Sequence, residues 1–173
     1  MVRVIDRIII HCADTREDNL VTLKNEDMDV GVIEIEAWHK ARAEKERWNE
    51  YVDKKGVTKF IGYHWVVRRD GTIEMARPEG VIGCHTVGYN SRSIAICWIG
   101  RNRLTPAARA GLIHITAEKC EAYGLDTKQI FGHCEIKGVK KTCPNFNQSM
   151  TYVSMDSFRA DVELYLNRNL QRR

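Results

Sequence analysis

The stretch SIAICWIG, residues 93–100, limits the fold more than any other part of the chain. A near-continuous apolar run of that length fits a strand covered on both faces, not one with a wet side. A second run, RVIDRIIIHC at 3–12, is rich in β-branched residues and reads the same way. Strands buried on both sides require helices packed above and below them. The intervening segments supply candidates. Residues Val32 to Val52 predict a helix, with Ile35, Trp38, Ala41, Trp48 and Val52 at helical spacing, Lys45 interrupting and the other face charged. Thr105-Pro106 is an N-cap and first-turn pair, and the helix it opens should stop near Gly124. A last helix, about 154–170, carries Phe158, Val162, Leu166 and Leu170 on one stripe. Between these, YHWVVRRDGTIEMA reads as two strands joined at Asp70-Gly71, a strong short-range hairpin signal. Gln129 to Cys134 predicts a further short strand. A hairpin among otherwise interleaved helices and strands implies an α/β fold: one domain over 1–173, with a central mixed β-sheet flanked by helices.

Composition narrows the function without naming it. The apolar fraction of 43% and charged fraction of 29% are those of an ordinary globular chain, and no apolar run is long enough to span a bilayer. The N-terminal apolar run is interrupted by charge and lacks a small-residue cleavage site, so it reads as a strand and not a signal peptide. Synthesis and retention in the cytoplasm are expected unless another device exports the protein. The net charge of +4 comes from 27 basic residues interspersed with 23 acidic ones. No basic block marks a nucleic-acid partner, and the mild excess suits any anionic one. The six cysteines are scattered, and reduced thiols are expected, with Cys97 and Cys120 as small buried hydrophobes.

The chemistry concentrates in GHCEIKGVKKTCPNF, residues 132–146. His133 follows an apolar strand, as His11 does at the end of RVIDRIIIH, and Cys143 stands immediately before Pro144. Two imidazoles and a thiolate suit Zn²⁺. Three protein ligands would leave the fourth tetrahedral position open, as in catalytic rather than structural zinc sites. Cys12 and Cys134 are rival members, because strand neighbours point to opposite faces and each His-Cys pair can offer only one ligand to a shared site. A Cys-His nucleophilic dyad is a further alternative. Three lysines, Lys137, Lys140 and Lys141, stand beside the would-be cation site.

The stretches IIIHCAD, EIEAWHKARAE, IGYHWVVRRDGTIEMARPEGVIGCHTVGYNSRSIAICWIG and GHCEIKGVKKTCPNF together resemble one family. It is that of the zinc-dependent N-acetylmuramoyl-L-alanine amidases of the phage T7-lysozyme type, related to peptidoglycan recognition proteins. The resemblance runs in family order from about residue 5 to 146. It implies a single α/β domain with zinc in a surface groove, hydrolysing the amide between N-acetylmuramic acid and L-alanine in peptidoglycan. It further implies His11, His133 and Cys143 as zinc ligands and Tyr63 and Lys141 as catalytic residues. His85 and Asn90, in GCHTVGYN, match substrate-groove positions. A phage or prophage endolysin is expected: a monomer made in the host cytoplasm, released to the wall by a holin or similar partner, with peptidoglycan as substrate. The other function classes are a non-catalytic peptidoglycan-binding module and a regulatory protein-binding domain; the complete set Tyr63, Lys141 and Cys143 favours the enzyme. Residues 41–59 and the segment between His133 and Cys143 are longer than the family's usual connections, and the tail after Phe146 lies outside the resemblance. Of the other histidines, His39 is expected at the groove edge, His64 in a structural role and His114 on a helix surface. Lys137 and Lys140 are expected to be solvated, and Cys134 to face away from the site.

Overall fold

A computed structural model describes residues 3–15, 30–146 and 154–171. The two apolar runs become adjacent parallel strands. Strand β1 (Arg7–Cys12) pairs in parallel with β6 (Ser93–Trp98), His11 opposite Cys97, and on its other edge with β7 (Ile130–Gly132). Strand β4 (Trp65–Val67) adds in parallel to β6, and β5 (Ile73–Met75) closes the edge antiparallel to β4. The order is β5-β4-β6-β1-β7, a mixed sheet with one antiparallel edge strand. The turn between β4 and β5 falls at Asp70-Gly71, where Gly71 has φ +88 and Asp70 Oδ1 accepts from Thr72 N at 2.9 Å.

Both faces are covered, as continuous apolar strands require. On one side α2 (Pro106–Tyr123) and α3 (Met155–Leu170) pack against Ile8, Ile10, Ile94, Ile96 and Trp98. Thr105 Oγ1 caps α2 by accepting from Ala108 N at 3.0 Å, and Gly124 ends it at φ +64. Phe158 and Val162 of α3 are fully buried, while Leu170 is 62% exposed, so the expected apolar stripe stops short of the helix end. Residues 147–153, part of the tail outside the family resemblance, lie outside the described residues.

On the opposite face, α1 (Val32–Ala43) buries Ile35 against Ile61, Val66 and Ile99. Its start is capped from β5, with Glu74 Oε2 accepting from Val32 N at 3.0 Å. The helix is shorter than the spacing predicts. Trp38 is 43% exposed, and beyond Ala43 the charged run 44–47 has no apolar face to bury. The chain leaves the helix there so that Trp48 can donate from Nε1 to Phe60 O at 2.6 Å and pack its ring on His39. Val52, the last of the predicted helical positions, instead lies on β2 (Tyr51–Val52). This pairs with β3 (Thr58–Lys59) in a separate two-stranded hairpin turned at Gly56. The 41–59 connection therefore comprises the end of α1, an irregular stretch and a hairpin over 51–59. It is pinned by the buried Arg77, which donates to Asn49 O, Ile61 O and Ile82 O.

Gly62 sets how closely two site-bearing segments approach. It donates to His39 Nδ1 at 3.0 Å and accepts from Cys84 N at 3.0 Å, and a Cβ there would lie 2.0 Å from the Cys84 carbonyl oxygen. Backbone cannot yield as a flexible side chain can. Gly62→Ala is expected to lower stability by about 1–3 kcal/mol, read as a lower midpoint in urea unfolding; an unchanged midpoint would contradict the close approach.

Candidate metal centre and active site

The parallel pairing of β1 with β7 determines the site. His11 is the penultimate residue of β1, and His133 opens a short 3-10 turn (His133–Glu135) directly after β7, where the predicted strand runs on to Cys134. Their rings lie 4.6 Å apart between centroids. Both stand at the carboxyl ends of parallel strands, where open α/β sheets commonly bind ligands.

Cys143 reaches them from a turn over Thr142–Asn145. Asn145, at φ +62, donates to Thr142 O at 2.8 Å, and Thr142 Oγ1 donates to Asn145 Oδ1 at 2.6 Å. This turn is tied to both histidine-bearing strands. Cys134 N donates to Cys143 O at 2.7 Å, and Cys12 N donates to Cys143 Sγ at 3.3 Å. Cys12 thus serves the site through its amide, while Cys134 is exposed. Below the turn, Glu135 accepts two hydrogen bonds from Arg159 of α3, at 2.8 and 2.9 Å, and one from Gly132 N at 2.8 Å.

One donor atom from each of His11, His133 and Cys143 falls within a cluster whose members all lie within 4.8 Å of one another. His11 Nδ1 and Cys143 Sγ are 3.8 Å apart. Ordinary Zn–N and Zn–S bonds at a tetrahedral angle put such a pair about 3.6 Å apart. The donor set and its spacing therefore fit a zinc ion, with the fourth position left for water or substrate.

Electrostatics favour the forms that bind a metal. Burial pushes the His133 imidazole down to about 4, helped by the charge of Lys141. His11 is held well below the usual range by burial, then by His133, Lys141 and His39. Both are neutral at pH 7. A hydrogen bond with the Cys12 thiol, together with burial, raises the Cys143 thiol; a bound cation acts in the opposite sense. Tyr63 packs its ring 5.0 Å from that of His11. Burial, then the nearby Cys97, Cys143 and Cys12 sulfurs, hold its phenol well above its ordinary pKa, so it is a donor at neutral pH. Lys141 is exposed at the mouth, close enough for its charge to be felt by both imidazoles; Lys137 and Lys140 are also exposed.

The remaining sequence candidates take different places. His85 sits behind His11, its Nδ1 3.1 Å from His11 Nε2. Asn90 Oδ1 accepts from His85 N at 3.0 Å and Thr86 N at 2.8 Å, which fixes the loop. His39 is buried beside Tyr63, and His64 is buried and accepts from Ala95 N at 3.0 Å. His114 is exposed and 2.8 Å from the Tyr165 hydroxyl. Cys97 and Cys120 are buried free thiols. Two participants carry no sequence signal: the Cys12 amide, which any residue would supply, and Ser93, whose contact with His85 depends on loop path.

A sheet-end pocket with two imidazoles and a thiol around an open position has the form of a metal-dependent hydrolase. The chain belongs to the N-acetylmuramoyl-L-alanine amidase family, which its residues 1–146 match. It is 30% identical over 149 residues to an endolysin of Klebsiella phage KP32, covering 82% of this chain and 81% of that protein. To the endolysin of Escherichia phage T7 it is 29% identical over 150 residues, 82% of each chain. Among solved structures, the amidase LysC from Clostridium intestinale superposes with a TM-score of 0.67 at 21% identity, covering 92% of this chain and 85% of that one. The protein is an amidase of the peptidoglycan-degrading, endolysin type.

His39 and His64 give the fold a defined acid limit. Each accepts a backbone N–H through Nδ1, and burial lowers their pKa values to about 4 and about 3. Below the ordinary histidine pKa of about 6.5, the unfolded chain binds protons that the folded chain refuses, so stability falls as pH falls. Thermal melts of metal-free protein should show a Tm that declines from about pH 6.5 toward about pH 4; a flat profile would contradict the buried neutral assignment.

Proposed function

We propose that His11, His133 and Cys143 hold a catalytic zinc ion and that Tyr63 and Lys141 act on the scissile amide between N-acetylmuramic acid and L-alanine. The single observation that supports this most is the open three-donor cluster with the positive charge of Lys141 at its mouth. Zinc there supplies Lewis acidity, polarising a carbonyl and making water a nucleophile near neutral pH. The chain's own groups do the rest. Attack on the amide carbon turns the carbonyl oxygen into an oxyanion, which a preorganised charge stabilises more than it stabilises the neutral amide. The exposed Lys141 ammonium is suited to that task. Tyr63, kept protonated by burial, donates a hydrogen bond at the floor of the site, and the apolar surroundings of His11 limit competing water.

This reading extends to a phage or prophage lysis enzyme made in the host cytoplasm, acting as a monomer and reaching the wall with the help of a holin or similar partner. The endolysin relatives support that setting. The outer groove walls in this proposal are the segment around His85 and Asn90 and the hairpin over 51–59.

Digestion of purified peptidoglycan tests the chemistry. New L-alanine amino termini without new sugar reducing ends are expected, and loss of activity on chelation with recovery on zinc addition. Reducing ends, or activity indifferent to a chelator, would overturn the assignment. Lys141→Ala should lower kcat by roughly 10²–10³ while leaving the unfolding midpoint unchanged, since its side chain is exposed. A variant within a few fold of the parent would remove Lys141 from the mechanism.

A further inference from the structure

We infer that His85 is a positioning residue for the metal, fixing the tautomer of His11 through a directed hydrogen-bond chain that ends on a backbone carbonyl. The inference rests on the reading of His11 as a zinc ligand. His11 offers Nδ1 toward Cys143 Sγ, at 3.8 Å, and Nε2 toward His85 Nδ1, at 3.1 Å. Only an Nδ1 lone pair can bind the ion, so the proton of a neutral His11 must sit on Nε2. That proton needs an acceptor at His85 Nδ1, which requires the His85 proton to be on Nε2. His85 Nε2 lies 3.2 Å from Ser93 Oγ, whose own proton is committed to Tyr89 O at 2.8 Å. With its single proton spent on a carbonyl, Ser93 Oγ faces His85 as an acceptor. The fixed carbonyl thus sets Ser93, Ser93 sets His85, and His85 sets His11. Thr86 Oγ1, 3.0 Å from His85 Nδ1, can share that lone pair with His11 as a second donor, which also requires His85 Nδ1 to be unprotonated.

The loop bearing His85 is built to hold such a chain. Asn90 Oδ1 accepts from both the His85 and Thr86 amides. The Arg3 guanidinium donates to the carbonyls of Glu79, Val81, Asn90, Ser91 and Ser93, tying both ends of the loop to the start of β6. Ser93 is itself fully buried. Groups that orient a metal-bound imidazole are commonly worth a factor of 10–100 in metal affinity.

The test is a competition titration of zinc against a chromophoric chelator at about pH 7, on the whole chain, with His85→Ala, His85→Asn and Ser93→Ala beside the parent. The parent should bind one zinc per chain. His85→Ala should bind it roughly 10–100-fold more weakly, with the metal-free unfolding midpoint little changed. His85→Asn, whose Oδ1 can stand where Nδ1 stood, should recover most of that loss. Nitrogen-15 NMR of metal-free parent should show His11 protonated on Nε2, a preference lost in His85→Ala. If His85→Ala does not fold, Ser93→Ala decides, because it removes only the oxygen that orders the chain and should weaken zinc binding in the same direction. Parent-like zinc affinity in His85→Ala, with a raised KM, would overturn the positioning role and leave His85 a substrate contact. A parent that binds no zinc would overturn the metal reading itself.

Discussion

The site depends on the parallel registration of β1 between β6 and β7. Residues of β1 and β6 are almost wholly buried, so neither strand can slip without moving an entire apolar set into water. That lock places His11 at one strand end and His133 just past its neighbour, far apart in sequence and 4.6 Å apart between ring centroids. Everything chemical follows from holding those two ends level. Cys143, on a loop with little regular structure, is brought to them by two backbone amides, that of Cys12 at the end of β1 donating to its Sγ and that of Cys134 just past β7 donating to its carbonyl. The precision of the centre thus belongs to the sheet and is lent to the loop.

Charge is arranged by depth. The imidazoles and the tyrosine lie in the apolar floor, where burial favours their neutral forms. Lys141 stands at the rim, exposed to solvent. A lysine driven inward among the ligands would compete with a cation for the same space. At the rim Lys141 leaves the space between the three donors open and, under the proposed mechanism, would face an oxyanion as that charge appears.

Much of this was legible in the sequence because it rests on local rules. Asp70-Gly71 marked the hairpin, Thr105-Pro106 and Gly124 bounded α2, and the apolar runs gave the central strands. The motif stretches named the three donors that the fold then brought together. The first helix misled because periodicity counts Trp48 and Val52 without knowing that an indole N–H had a better partner at Phe60. Tertiary demand ended the helix where spacing alone would have continued it. His85 was visible as a residue of interest, yet its direction was not, since whether an imidazole faces a groove or a neighbouring ring depends on loop path. The Cys12 amide left no trace at all, for backbone groups carry no residue type.

The C-terminal helix gives the boundary of this enzyme a meaning that similarity does not. The family model matches residues 1–146, ending just past Cys143. Yet Phe158 and Val162 complete the main core, and Arg159 grips Glu135 in the very turn that begins with His133. The helix is a keystone set from outside the arch: it touches no reacting group, but the stones that do are wedged against it. The stretch that the family model matches is therefore shorter than the unit that holds the site in place, and losing the helix would open the core and loosen the turn that begins with His133.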